Sequence, residues 1–560
     1  MKQLIECVPN FSEGQDMNVI KQITDVIEAV EGVKLLDVDP GKATNRTVVT
    51  FVGTPNEVIE AAFQAIKKAT EVIDMSKHHG EHPRFGATDV CPLVPISGIT
   101  MEETVKYAHK LAERVGNEIG VPVYCYEFAA TEEKRKNLAY CRAGEYEGLK
   151  EKLANPNMKP DYGPAEFNDF VKKSGATAIS ARNFLVAYNV NLNTTSTRRA
   201  NAIAFDVREN GRAKKENGKI VKDDKGNTVR IPGTLKKVKA IGWYIEEYGI
   251  AQISMNLTDI TVTSVHKAFE EVKKSAEKRG VRVTGSELVG LIPLQSLLDA
   301  GKFYLKKQQR SVGISDAEIL KIAIKSLGLN ELKPFIPEER IIEYLLEDKN
   351  SKPLINMNLK DFSDLTASEF PAPGGGSISA YMGSLGAALG TMVANLSSHK
   401  RGWDDRWEEF SDWAEKGAYY YKALVNMVDE DTQAFNKIME AFRLPKKSDE
   451  EKAIRHEAIQ NATKNAINVP FKIMELSFAS MEVMKAMADI GLQASVSDAG
   501  VGALAARAAV QGAFMNVKIN MADLEDKEFA NKKLKEGNII LEKAIALEKE
   551  IVDIVESKIS

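Results

Sequence analysis

The sequence predicts a multidomain protein: an α+β amino-terminal part built from two split βαβ units, followed by an all-α helical bundle. Three observations carry this. The length of 560 residues exceeds one ordinary domain. Short β-branched runs alternate with amphipathic helical periods as far as about residue 330. Beyond about Lys333 the pattern is almost wholly helical and Ala-rich, with Pro scarce inside its runs.

Taken in order, residues 33–37 and 47–52 read as strands and 56–72 as a helix with apolar residues at helical spacing. Strands follow at 90–96 and 121–126, flanking a helix near 101–119. A second set holds a strand at 181–192, a helix at or before Arg208, paired strands at 238–246 and 250–257, a helix over 262–279 and a strand at 281–284. Strand, helix, paired strands, helix and strand make a split βαβ unit. The charged, Gly-containing stretch 209–235 reads as an exposed hairpin or a mobile insertion. Pro334, Pro337 and the helix start Glu338-Glu339-Arg340 mark a linker.

A hydrophobic share of 44% and a charged share of 28% are those of a globular protein. A net charge of −4 gives no global support for nucleic-acid binding. Lys134-Arg135-Lys136, Arg198-Arg199, and Lys306-Lys307 with Arg310 are local basic clusters, either solvated faces or holders of an anionic small molecule. The four cysteines form no CxxC pair, which suits a reducing cytosol and predicts a cytoplasmic protein. The first residues lack the apolar core of a signal peptide. Residues 374–396 carry no charge and imitate a membrane span, yet Gly, Ala and Ser dominate them. Small residues let helices approach closely, so a buried helix is expected and no membrane span.

Three of the seven histidines, His78, His79 and His82, fall within five residues. Pro83 and the flanking glycines make a helix there unlikely, so the cluster reads as an ordered loop feeding the strand at 90–96. A metal set from His78, His79, Glu81 and His82 is disfavoured, because the spacing is not HExxH and no cysteine is near enough. A solvated loop without chemistry and a general acid/base remain open.

In the helical half, Gly374-Gly375-Gly376-Ser377 opens the small-residue helix, which suits an anion at its N-terminus or a plain capping turn. Asp431 falls within the apolar stripe Leu424, Val428, Phe435, Ile438 and Phe442. A carboxyl so placed has its pKa raised and can serve as an acid or base near neutrality; a paired structural aspartate is the competing reading. Asp498 caps a helix or belongs to a site. Arg507 shares a helical face with Gln511 and Lys518, which fits an anionic ligand or a buried ion pair.

Together these segments resemble the bifunctional formiminotransferase-cyclodeaminases, a folate enzyme family of histidine degradation, over essentially the whole chain. The resemblance is carried by Cys7-Val8-Pro9-Asn10-Phe11-Ser12-Glu13-Gly14, by Asp37-Val38-Asp39-Pro40-Gly41 with Thr44-Asn45-Arg46-Thr47, and by His82-Pro83-Arg84-Phe85-Gly86-Ala87 with Asp89. In the helical half it rests on Pro373-Gly374-Gly375-Gly376-Ser377, Asp429-Glu430-Asp431-Thr432-Gln433-Ala434-Phe435 and Arg443-Leu444-Pro445-Lys446.

The resemblance implies transfer of a formimino group from N-formimino-L-glutamate to N-5 of tetrahydrofolate. It then implies cyclisation of 5-formiminotetrahydrofolate to 5,10-methenyltetrahydrofolate with release of ammonia. It makes His82 the transferase acid/base and Asp431 that of the cyclodeaminase. Asn10, Asp39 and Arg46 count as substrate contacts, as do Gly374, Gly375, Gly376, Ser377, Asp498 and Arg507. Gly163, Pro164, Ala165, Glu166 and Phe167 lie where the family's folate-binding segment falls, although the stretch up to Ser174 departs from it. The implied architecture is two ferredoxin-like subdomains over 1–181 and 182–327, a linker at 328–335 and a cyclodeaminase domain over 336–560. The implied co-substrate is polyglutamylated tetrahydrofolate with no metal, and the implied assembly is a homo-octamer. The insertion at 209–235 is longer than the family's usual loop. An inactive helical scaffold and a folate binder without turnover are the rival readings.

Overall fold

A computed structural model of the chain describes residues 3–42, 44–80, 84–346, 352–522 and 524–559. The chain forms two compact units, Met1–Ile292 with Leu329–Leu346 and Pro293–Gly328 with Glu347–Ser560. It therefore passes from one unit to the other three times, at 292/293, 328/329 and 346/347.

Among the described residues, the first unit holds a seven-stranded and a four-stranded sheet. The larger comprises β1 (Leu4–Cys7), β2 (Asn10–Phe11), β3 (Val33–Gly41), β4 (Arg46–Gly53), β5 (Thr88–Ser97), β6 (Val123–Glu127) and β7 (Thr177–Ala181). β1 and β2 are successive pieces lying between β4 and β5; β3 pairs on the outer side of β4. β7 and then β6 extend the sheet beyond β5 in parallel. One face carries Ile5, Cys7, Phe51 and Leu93 into a core under helices α1 (Met17–Glu28), α2 (Pro55–Val72) and α3 (Met101–Arg114). α3 begins with a capping box between Thr100 and Glu103, which satisfies two otherwise orphaned backbone donors. A smaller core around Phe85, Tyr124 and Leu149 lies apart from this one.

The run expected as one strand over 181–192 is two strands in different sheets. β7 ends at Ala181, and β8 (Val186–Leu192) opens the second sheet. No Gly or Pro interrupts Arg182-Asn183-Phe184-Leu185. The break is made by tertiary contacts: Arg182 N–H bonds the Leu93 carbonyl of the first sheet, while the Asn183 side chain donates to Asp259. The second sheet adds β9 (Val238–Ile245), β10 (Ile250–Leu257) and β11 (Val283–Val289), in the antiparallel order β9-β10-β8-β11. α4 (Thr197–Val207) packs on β9 where Gly242 lets it: a Cβ there would lie 2.2 Å from the Asn201 nitrogen. α5 (Val265–Glu277) packs beside α4. Across the strands runs a polar chain in which Trp243 donates to Gln252 at 3.2 Å, Gln252 to Asn191 at 2.8 Å and Asn191 to Glu331 at 2.7 Å. Glu331 thereby ties the returning segment to this sheet. The stretch 209–235 forms two short ladders, half-buried Arg212–Ala213 with exposed Arg230–Ile231, and exposed Lys215–Glu216 with exposed Lys219–Ile220.

The second unit is helical, with α6 (Leu294–Lys307), α7 (Asp316–Leu327), α8 (Gly375–Ser398), α9 (Trp407–Arg443), α10 (Asp449–Ile490), α11 (Val496–Asn520) and α12 (Lys527–Ile559). α8 is the small-residue helix, long and apolar enough by composition to cross a membrane, yet largely buried among α9, α10 and α11. Its small residues set the crossing distances: a Cβ on Gly386 would lie 2.7 Å from the Gly502 carbonyl of α11. Pro470 sits inside α10 and cannot donate to the carbonyl of Ala466 four residues back. The Asn520 side chain donates to that carbonyl at 2.7 Å.

The loop between α6 and α7 docks on α8 and α9. Val312 N–H donates to Ser411 Oγ at 3.1 Å, Asn395 donates to the Gly313 carbonyl at 2.9 Å, and a Cβ on Gly313 would lie 2.1 Å from the Ala414 backbone. Gly313→Ala is therefore expected to destabilise this unit by about 1–3 kcal/mol, as overpacking does. Denaturant unfolding followed by Trp403 and Trp413 fluorescence tests this; an unchanged midpoint would mean that the loop is not docked there.

Two candidate active sites

The first site gathers around the His-rich segment. Both of its shoulders are fixed. On the incoming side His78 is buried, and its Nε2 lies 2.8 Å from the Asn45 carbonyl. Asn45 adopts φ +48°, accepts from Gly14 N–H at 3.0 Å and donates to the His79 carbonyl at 2.7 Å. Asparagine tolerates this left-handed conformation better than most residues. On the outgoing side Arg84 bonds the carbonyls of Met75 and His78 and pairs with Glu147. Tyr146 N–H returns to the Arg84 carbonyl at 2.9 Å. Gly86 bridges Gly175, and Ala87 donates to the Ser174 carbonyl at 2.7 Å. The described residues on both sides are non-helical, as expected. His82 itself, with Glu81 and Pro83, lies outside the described residues.

Beside this segment a cleft of about 1340 Å³ is lined by residues of both sheets and their loops, among them Asn10, Tyr126, Arg142, Arg182 and Lys239. Arg46 donates to Asn10 Oδ1, so two of the expected substrate contacts come together. Asp89 is buried beneath them, 3.1 Å from Arg142 and 3.9 Å from Arg46. Burial pushes its carboxyl up to about 6, against the opposing pull of Arg142 and Arg46.

Asp39 is placed elsewhere: it is exposed on β3 opposite Val48 and does not line the cleft. Gly163 to Phe167 do not line it either. Gly163, at φ +82°, packs where a Cβ would lie 2.4 Å from the Val121 carbonyl, and Phe167 packs on the smaller core. Arg142 and Arg182 carry no periodic or motif signal: Arg142 lies in a turn and Arg182 just past the end of β7, and only folding brings them to the cleft.

The second site lies at the N-terminus of α8. Gly374 is the N-cap, and Asp431 of α9 lies against Gly376, where a Cβ would sit 2.1 Å from Asp431 Oδ1. Ser377 Oγ donates to the Val428 carbonyl at 2.8 Å and approaches Asp431 Oδ2 at 3.3 Å. Burial raises the Asp431 carboxyl, while hydrogen bonds from the Ser377 side chain and backbone oppose the rise. Asn516 of α11 lies next to Gly375 and was not foreseen.

The expected apolar stripe is shifted. The buried face of α9 runs through Leu424, Met427, Val428, Ala434 and Ala441; Phe435 and Ile438 are half-buried and Phe442 is exposed. The 4-3 spacing drifts around a helix this long, so Asp431 lies at the edge of the face. The wholly buried carboxylate of α9 is Asp429, which accepts from Leu354 N–H at 3.0 Å and Ile355 N–H at 3.1 Å. Asp498 and Arg507 stand apart. Counting from Asn516 at about 1.5 Å per residue, they lie roughly 27 and 13 Å along α11. Arg507 pairs with Glu548 at 2.8 Å and with Gln511 at 2.7 Å. Among the described residues no cluster of three or more His, Cys, Asp or Glu could hold a metal.

Comparison with known proteins covers both units. The formiminotransferase domain family matches with its N-terminal subdomain over residues 4–182 and with a second part over residues 187–347. The formiminotransferase-cyclodeaminase family matches residues 358–538. A formimidoyltransferase-cyclodeaminase of Dictyostelium discoideum is 42% identical over 560 residues, 100% of both chains. A glutamate formimidoyltransferase of Streptococcus pyogenes serotype M1 is 42% identical over 306 residues, 55% of this chain and 94% of its own. A methenyltetrahydrofolate cyclohydrolase of Methylorubrum extorquens is 37% identical over 205 residues, 37% of this chain and 99% of its own.

The raised Asp431 carboxyl has a stability consequence. Because the folded-state pKa lies above the unfolded one, the ionised carboxylate costs stability as pH rises past about 3.8, and the full cost is present above the folded pKa. Asp431→Asn is therefore expected to melt at or above the wild-type temperature at pH 7, with the difference shrinking toward acid pH. A lower melting temperature at pH 7 would make Asp431 a stabilising group instead.

Proposed function

The chain belongs to the formimidoyltransferase-cyclodeaminase family, and on that premise we propose how its residues divide the chemistry. The protein is a bifunctional folate enzyme. It transfers the formimino group of N-formimino-L-glutamate to tetrahydrofolate, then cyclodeaminates 5-formiminotetrahydrofolate to 5,10-methenyltetrahydrofolate and ammonia. The observation that carries this reading is the full-length 42% identity to a bifunctional relative.

In the transfer, N-5 of tetrahydrofolate attacks the amidine carbon and the glutamate nitrogen leaves with a proton. His82 takes the N-5 proton and returns one to the departing nitrogen. The fixed shoulders of its segment support this, since a positioned acid/base needs a rigid mount. In the cyclisation, N-10 attacks the formimino carbon and ammonia leaves. Asp431, its carboxyl raised by burial, gives a proton to the leaving nitrogen and takes one from N-10. Asn10 and Arg46 serve the first reaction, and Gly374 to Ser377 with Asn516 frame the second. Neither step uses a metal. By sequence the functional divisions fall at 181, 327 and 335, whereas by packing Pro293–Gly328 goes with the helical unit and Leu329–Leu346 with the first. A ferredoxin-like reading of both sheets is supported by strand order: β8, β9, β10 and β11 pair in the order 2-3-1-4, as do β1, β3, β4 and β5.

The cations Lys136, Lys237 and Lys239 lining the cleft suit a polyglutamylated folate, and the enzyme serves histidine breakdown in the cytoplasm. It acts as a homo-oligomer, a ring-like octamer. Leu385, Met392 and Leu396 of α8 and Val501 and Leu504 of α11 are exposed where those helices cross, and so large an apolar surface suits a second copy. A second reading of the helical unit, hydrolysis of the methenyl bridge to 10-formyltetrahydrofolate, rests on the name of the Methylorubrum extorquens relative.

Supplying N-formimino-L-glutamate and tetrahydrofolate, while following methenyl absorbance and ammonia together, tests the assignment. His82→Ala should cost the transfer on the order of a hundredfold to ten-thousandfold and spare cyclisation of supplied 5-formiminotetrahydrofolate. Asp431→Asn should accumulate 5-formiminotetrahydrofolate. A fully active His82→Ala protein would move the chemistry to another group of the segment. Methenyl absorbance that decays after ammonia release stops would favour the hydrolytic reading.

A further inference from the structure

The formimino donor carries two carboxylates, and the transfer step must hold it while its nitrogen departs. Among the described residues the cleft offers five cations: Lys136, Arg142, Arg182, Lys237 and Lys239. Arg142 is held from two independent sides. Its guanidinium meets buried Asp89 at 3.1 Å. Its backbone is gripped by Lys152, whose Nζ donates to the carbonyl of Cys141 and, at 3.5 Å, to that of Ala143, one on each side of Arg142. Lys152 is itself buried, 5.0 Å from the Phe85 ring centre and 4.6 Å from that of Tyr124. Three residues after Arg142, Glu145 holds the left-handed φ +53°, its N–H bonding the Arg142 carbonyl at 2.8 Å. A non-glycine residue in that conformation persists where surrounding contacts over-determine it, most often at functional sites. By contrast Lys136 is exposed and pairs with Glu133.

Arg142 and Arg46 both face the buried carboxylate Asp89, so charge as well as backbone contacts hold the Arg142 guanidinium at the cleft wall. The loop is also stitched to the catalytic segment, because Tyr146 N–H bonds the Arg84 carbonyl two residues beyond His82. We propose that Arg142 receives a carboxylate of the formimino donor, with Asp89 and Lys152 as the residues that position it. This rests on the first unit being the formimidoyltransferase. Arginine suits the task because its planar donors match a carboxylate with two parallel hydrogen bonds.

The test is steady-state transferase kinetics on the full-length protein. The donors are N-formimino-L-glutamate and its two monoamides, in which either the α- or the γ-carboxylate is replaced by a carboxamide. Arg142→Gln should raise the donor KM about tenfold to a hundredfold, the scale of a lost charged hydrogen bond, and leave the tetrahydrofolate KM within about twofold. One monoamide, disfavoured by the wild type, should lose its disadvantage relative to the parent donor in the variant; that amide identifies the carboxylate Arg142 holds. Lys152→Met should raise the donor KM in the same direction with little change in kcat, a split that general destabilisation would not produce. If Arg142→Gln fails to fold by circular dichroism, Arg142→Lys keeps the charge beside Asp89 and gives the same readout. Unchanged donor KM, both amides keeping their full disadvantage, or a rise confined to tetrahydrofolate would overturn the proposal, the last giving Arg142 to the folate. A wild-type protein unable to use the donor at all would instead overturn the transferase reading.

Discussion

A methyl group on residue 376 would lie 2.1 Å from a carboxylate oxygen of Asp431, and much of the helical unit is arranged around that excluded volume. Glycine there lets the start of α8 rest directly on α9. The contact places Ser377 within reach of both the Val428 carbonyl and the Asp431 carboxylate. The same principle repeats along α8, where Gly386 meets the Gly502 carbonyl and Gly383 meets Ser477. Backbones this close bury little apolar side chain per residue, so the bundle gains through contact density rather than through large groups. A helix built this way resembles a membrane span in composition, yet most of it is buried against protein.

Both sites hold a carboxyl whose pKa burial raises, but what opposes the rise differs. Asp89 is more deeply buried and has two arginines beside it, so desolvation and charge attraction compete and leave it at about 6. Asp431 has hydrogen bonds from Ser377 and no cation among the causes of its shift, and burial still prevails. The first arrangement suits holding cations for an anionic substrate. The second suits moving a proton. A third carboxylate, Asp429, shows the structural use of the same side chain: two backbone N–H groups satisfy it, and it anchors the segment at Leu354 and Ile355 to α9.

Strand and helix periods were legible wherever local pattern and tertiary environment agreed, as in α2, β9 and β10. They misled where a pattern ran on through a change of partner. The run from Ala181 to Leu192 contains no Gly or Pro, and its division between two sheets depends on Leu93 and Asp259, which are distant in sequence. The stripe through Asp431 followed a 4-3 rhythm that a 37-residue helix does not keep on one face. Asp498 and Arg507 were expected as substrate contacts together with Gly374 to Ser377. Helical rise along α11 separates them from Asn516, the neighbour of Gly375.

By itself the sequence determined the two-part architecture, the loop character of the His-rich segment and the residue types available for proton transfer. These follow from local properties: periodicity, the conformational limits of Pro and Gly, and the acid–base range of His and Asp. Tertiary structure alone decided which charges meet. Arg142 comes to the cleft through Asp89 and Lys152, the segment 329–346 returns to the first unit through Glu331, and Asn516 reaches Gly375. Such meetings depend on contacts between residues far apart in the chain, and no window of local sequence contains both partners.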